Sequence, residues 1–119
     1  MNIKHFFLVC ASFALLSSCG QQSDAEQLVE QFITDYAVDP TQIDVIEFNK
    51  LDSTKNINDS IVNAMQSKTD ELFKNDIDYS VKQSGRMLYF IRMHYAYKGD
   101  TLSKTFYIDE SMQHIVSFK

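Results

Sequence analysis

Residues 86–97 and 101–108 impose a period of two on this chain, and few folds accept that pattern. Aromatic and branched side chains dominate 86–97, the composition of a long strand. Lys98-Gly99-Asp100 is a turn signal between the two runs. A two-residue turn at Lys98-Gly99 pairs Tyr97 with Asp100 and Tyr95 with Leu102. One face of the hairpin then carries Met87, Tyr89, Ile91, Met93, Tyr95 and Tyr97, beside Leu102, Phe106 and Ile108. The other carries Leu88, Phe90, Arg92, His94 and Ala96, beside Thr105 and Tyr107. The first face is the more continuously apolar, so helices are expected to cover it. A slip of one residue would expose it, which fixes the register.

Upstream, Leu28, Val29, Phe32, Ile33 and Tyr36 recur at helical spacing. Ser23-x-x-Glu26 is a capping-box pattern ahead of them. Asp39-Pro40 stops the pattern, because the residue before proline avoids helical backbone. The spacing predicts a helix over 24–38. Ile43, Val45, Ile46 and Phe48 alternate with one slip, which predicts a bulged strand over 42–51. Asn58 or Asp59 can cap a second helix over 59–74, with Ile61, Val62, Met65, Leu72 and Phe73 as its stripe. Ile77, Tyr79 and Val81 alternate as a further strand, closed by a turn at Ser84-Gly85. A last strand is expected over 113–118.

The expected order is α-β-α-β-β-β-β, an α+β architecture with both helices on one face of a curved antiparallel sheet. In that order it resembles the cystatin-like and NTF2-like folds.

The N-terminus carries different information. Lys4 precedes the apolar run Phe6 to Leu16. Eleven residues cannot span a bilayer core, which needs about 20. A basic start, a short apolar core and small residues make a secretory signal. Leu16-Ser17-Ser18-Cys19 resembles the bacterial lipoprotein signal. That resemblance implies cleavage before Cys19 and acylation of its thiol. The expected organisation is a signal peptide over 1–18, a lipidated tether over 19–23 and one α+β domain over 24–119. The anchor places the domain at the bacterial cell envelope, most simply the outer membrane, with the membrane as a partner. Acyl chains contribute about 0.8 kcal/mol per buried CH₂.

Cleavage removes Cys10, and lipidation consumes Cys19, the second of two cysteines. The remaining domain has no thiol for a disulfide, a nucleophile or a thiolate metal site. It has three glycines, Gly20, Gly85 and Gly99, so no glycine-rich phosphate loop can form. His94 and His114 lack metal-spaced partners, and no serine sits in a G-x-S-x-G elbow. No cofactor and no metal are expected. The net charge of −5 and the absence of a basic run argue against nucleic acid. Charge is uneven: residues 19–59 hold nine acids and two bases, and residues 60–119 hold seven acids and eight bases. The acidic part is either a solvated helix face or a docking surface for a basic partner.

Asp39-Pro40-Thr41, the strand through Val45 and Phe48, Leu51-Asp52-Ser53 and the ending Lys104 to Asp109 are similar to small uncharacterised lipoproteins of Bacteroidetes-type bacteria. That likeness implies an envelope location and an α+β fold, and assigns no catalytic residue. In the same bacterial group, secreted proteins carry O-glycans on Asp-Ser/Thr followed by an apolar residue or Thr. Asp52-Ser53-Thr54, Asp59-Ser60-Ile61 and Asp100-Thr101-Leu102 fit, which makes Ser53, Ser60 and Thr101 candidates, Thr101 foremost. Asp and Ser are also ordinary turn and cap residues.

One polar constellation remains: Arg92 and His94 on one face of the long strand, with Tyr107 near them. On an open sheet this is a solvated face. In a pocket it would supply acid–base groups, since histidine titrates near neutrality. The expected role is a non-catalytic module that binds an envelope protein or a small ligand. The alternative is an NTF2-like small-molecule or enzymatic pocket using Arg92 and His94.

Overall fold

A computed structural model describes residues 16–79 and 87–119, the side chains of 16–19 excepted. The expected signal segment lies outside the described residues apart from the backbone of 16–18. The Ser84-Gly85 turn lies outside them too. Helix α1 runs Leu16–Tyr36. Strands β1 (Asp44–Phe48) and β2 (Asp52–Thr54) follow, then helix α2 (Asp59–Gln66). Strands β3 (Leu88–Tyr97), β4 (Asp100–Ile108) and β5 (Ile115–Phe118) complete the chain. The protein is α+β, with two helices and an open, five-stranded antiparallel sheet.

β3 is the sheet's spine. β4 pairs along one edge, and β5 pairs with β4. β1 and β2 share the other edge, β1 opposite Met93–Ala96 and β2 opposite Leu88–Phe90. The hairpin register is the expected one, with Tyr97 opposite Asp100 and Tyr95 opposite Leu102. Its turn has positive φ at both central residues, 51° at Lys98 and 86° at Gly99. That geometry matches the strand twist and suits glycine far better than lysine. The slip in the first strand is a bulge between Val45 and Glu47.

The two helices do not share a face, contrary to expectation. α1 lays Ala25, Val29, Phe32 and Ile33 on Ile91, Met93, Tyr95, Phe106 and Ile108. α2 lays Val62 and Met65 on Leu88, Tyr107 and Val116, on the opposite side. The stripe from Ile61 to Phe73 is not one helix but two segments serving two cores. α2 starts at its Asn58 cap, whose side chain accepts from the Ile61 N–H at 2.9 Å, and stops at Gln66. Beyond it the Asp70 carboxylate accepts from the Leu72 N–H at 2.9 Å, a local bond that competes with helix. The chain then bridges to the end of α1, with Lys74 N–H donating to the Tyr36 carbonyl at 2.8 Å. Leu72 and Phe73 thereby enter the α1 core, where Phe73 meets Phe118 at 4.8 Å between ring centroids. Burying each such side chain contributes about 1.5–3 kcal/mol.

Three further boundaries differ. α1 ends at Tyr36, and it runs through Ser23 and Glu26 instead of starting there. Glu26 accepts from the Gln22 carboxamide at 2.8 Å, so the capping box is not formed. Residues 19–23, expected as a tether, are helical. The strand predicted over 42–51 is confined to Asp44–Phe48, β2 (Asp52–Thr54) lies beyond the predicted range, and residues 77–79 are not strand, with Val81 outside the described residues.

Candidate functional site

The face that α2 covers is only half covered. α2 packs over Leu88, Tyr107 and Val116 and stops short of Arg92, which is exposed. Where the cover ends lies an open cleft of about 460 Å³, within the range of about 300–1,000 Å³ that small-ligand sites occupy. Two cross-strand rows form its floor. Asp52, Phe90, Tyr107 and Ser117 stand opposite one another in the first. In the second, Arg92 opposes Thr105, Asn49 N–H donates to the Arg92 carbonyl at 2.9 Å, and Thr105 and Lys119 exchange both backbone bonds. Lys50, Thr54 and Ile57 close the side nearest β2.

Aromatic side chains occupy the middle of the first row, and basic residues stand around it. The Phe90 and Tyr107 rings lie 6.2 Å apart at 43°, with Ile57 packed against the same cluster. Lys50, Arg92 and Lys119 line the cleft, against one side-chain carboxylate, Asp52. The Asp52 carboxylate turns to the neighbouring Ser53 N–H at 2.8 Å. Among the described residues the one lysine or arginine ion pair is Lys104–Asp70, so the three basic residues of the cleft have no carboxylate partner there. Arg92 is held in place by donating from Nη2 to Ser103 Oγ at 2.9 Å.

Arg92 and Tyr107, singled out in the sequence, therefore line one site. His94 stands one row away, opposite Glu47 and Ser103. Its Nε2 is engaged with Asn49 Oδ1 at 2.8 Å, so it supports the rim and does not line the cleft. Lys50, Lys119 and Asn49 had no signal in the sequence, because the pairings of β1 and β5 that bring them here are long-range. Phe90 and Thr105 follow from the hairpin register. Ser53, Ser60 and Thr101 are all exposed, in β2, α2 and β4. Cys19 has its backbone in α1, and its side chain lies outside the described residues.

A second, smaller cleft of about 180 Å³ lies where α1 meets the β4–β5 connection, lined by Asp35, Tyr36, Asp78, Tyr79 and His114 among others. Burial, with Tyr36 and Asp70 adding to it, pushes the Tyr79 hydroxyl up to about 12. Nearby, Asp109 is buried, and burial alone would raise its carboxyl. Bonds from Ser111 Oγ, the Gln113 and His114 N–H groups and the His114 ring outweigh that and hold it below its ordinary value. Four donors spent on one carboxylate make a loop clamp, not a reactive group. No cluster among the described residues could hold a metal ion, and no helix there is long and apolar enough to cross a membrane.

Comparison with known proteins gives no matching family model, no similar curated protein and no matching solved structure.

Proposed function

We propose that this chain is a lipid-anchored, non-catalytic binding module of the bacterial cell envelope. Acylated Cys19 holds it at the outer membrane, and the cleft beside α2 is its binding surface. The observation that carries the binding reading is the incomplete cover of the α2 face, which leaves Phe90, Arg92 and Tyr107 together at an open cleft. The enzymatic alternative with Arg92 and His94 draws less support, since His94 is engaged with Asn49 and is not among the residues that line the cleft. An NTF2-like cone between sheet and α1 is filled by Phe32, Phe73, Phe106 and Phe118. A long helix across an antiparallel meander leaves the cystatin-like likeness as the better of the two.

The anchor is tested by palmitate labelling of the wild type and of Cys19→Ala in a bacterial host. Label confined to the wild type is expected, and equal labelling overturns the anchor. The binding surface is tested by amide chemical-shift mapping of the full chain against a small-molecule fragment set. Shifts gathered at Phe90, Arg92, Thr105 and Tyr107 are expected. Fragments that shift only other regions overturn this assignment.

A further inference from the structure

The cleft's chemistry identifies a ligand class, an inference that rests on the binding reading above. We infer that the cleft takes a small organic anion, a carboxylate carrying an apolar or aromatic body. The chain as a whole is acidic, at −5, yet three basic residues, Lys50, Arg92 and Lys119, line this one concave site. Among the described residues none of the three is ion-paired with a carboxylate. A cleft that gathers like charges without pairing them attracts an opposite charge from solution. Asp52, whose carboxylate accepts from the Ser53 N–H at 2.8 Å, offsets one of the three and leaves the lining side chains net positive.

The guanidinium is the anchor for the anion. Arg92 is fixed through Nη2 on Ser103, which leaves its other N–H donors to the cleft. A positioned guanidinium binds carboxylate in a two-pronged, charge-assisted way that ammonium groups cannot reproduce. Thr105 stands opposite Arg92 in the register, adding a hydroxyl to the same row. One row below, Phe90 offers half-buried ring surface rather than further charge, backed by the buried Tyr107 ring at 6.2 Å. A bare inorganic anion would leave that surface wet. A carboxylate whose apolar body lies on the Phe90 ring uses both rows.

The test is an amide chemical-shift titration of the full chain in a neutral detergent, with four probes. These are phenylacetate, phenylacetamide, phenethylamine and inorganic phosphate. Phenylacetate is expected to shift the amides of Phe90, Arg92, Thr105 and Tyr107 and to saturate. The neutral amide and the amine should bind about tenfold or more weakly, and phosphate likewise. Arg92→Gln should weaken phenylacetate about tenfold, while Lys74→Gln, an exposed lysine outside the cleft, should leave it unchanged. Equal binding of the amide, or no loss with Arg92→Gln, overturns the anion. Phosphate binding as well as phenylacetate overturns the apolar body. If no probe moves the cleft amides and fragments of other chemistry do, the ligand class fails and the binding surface stands. If nothing moves them, both fail.

Discussion

The Gln22 carboxamide of α1 accepts from the Leu51 N–H at 2.7 Å, across 29 residues of sequence. Its nitrogen donates to the Asn49 carbonyl at 3.1 Å and to Glu26 at 2.8 Å. One side chain thus satisfies the backbone of the β1–β2 connection, where the strand ladder is interrupted. The same connection carries Asn49 and Lys50 to the rim of the cleft. Each such bond contributes about 0.5–1.5 kcal/mol net. Gln22→Ala is therefore expected to cost about 1–2 kcal/mol in urea unfolding. Hydrogen exchange should show the Leu51 amide losing protection while the Ile91 amide, in the sheet centre, loses only what the global stability loses. Unchanged protection at Leu51 would refute the clamp.

The hairpin turn leaves room for stabilisation. Lys98 sits at a φ of 51°, where an ordinary L residue is strained by about 1–2 kcal/mol. Asparagine tolerates that region, and Asn-Gly is the favoured pair for this turn. Lys98→Asn is expected to gain about 0.5–1 kcal/mol, less what is lost where the Lys98 ammonium sits 5.2 Å from the Tyr97 ring centre. Thermal unfolding at neutral pH checks the direction, and a lower midpoint would contradict it.

Acid stability should depend on Asp109. Its folded-state carboxyl lies below the ordinary value of 3.8, so the folded chain binds protons more weakly there than the unfolded chain does. The stabilisation is complete above the ordinary carboxylate range. It is lost as pH falls through that range toward the folded value. Asp109→Asn keeps the shape, removes the titration and removes the charge that four donors face. The variant is expected to be less stable near neutrality and to show a flatter loss of stability on acidification. Parallel acid limbs for the two proteins would contradict the assignment.

The central hairpin was legible in the sequence because its information is local. A turn that demands positive φ and an aromatic alternation on both sides fix pairing without distant help. The bulge at Val45–Glu47 was legible for the same reason, as a break in a period. The placement of α2 was not. Val62, Met65, Leu72 and Phe73 fit one helical stripe by spacing, and spacing cannot tell which side of a sheet each residue will meet. Asp70 and the bridge between Ala37 and Phe73 decide that, through a bond two residues away and a pairing 36 positions apart. The candidate site divides along the same line. Arg92, Thr105, Phe90 and Tyr107 come from one hairpin and could be put on one face. Lys50 and Lys119 arrive through strands whose partners no local pattern names.

The last prediction concerns Asp70, which does two things at once. Its Oδ1 accepts from the Leu72 N–H and its Oδ2 pairs with Lys104 Nζ at 2.5 Å. Lys104 is mostly buried and lies 5.6 Å from the Phe118 ring centre, so the pair pins the segment after α2 to β4 on the α1 side. Hydrogen bonds to charged groups contribute about 1.5–3 kcal/mol, and removing one partner leaves the other half-desolvated. Asp70→Ala is expected to cost about 2–3 kcal/mol, with Asp70→Ala and Lys104→Met costing less together than the sum of the two alone. The charge also acts on Tyr95, whose hydroxyl is pushed up to about 12 by burial first and then by Asp70, Glu71 and Tyr97. A raised tyrosine value means stability that is whole below the unfolded value of 10.0 and lost as pH climbs toward 12. Removing the Asp70 charge should move the Tyr95 ionisation down toward its ordinary value, followed as tyrosinate absorbance against a Tyr95→Phe reference. Tyr79 shares that dependence on Asp70, so its ionisation should move the same way in the Tyr95→Phe background. A tyrosinate titration that Asp70→Ala leaves unmoved would show that the carboxylate does not face these rings.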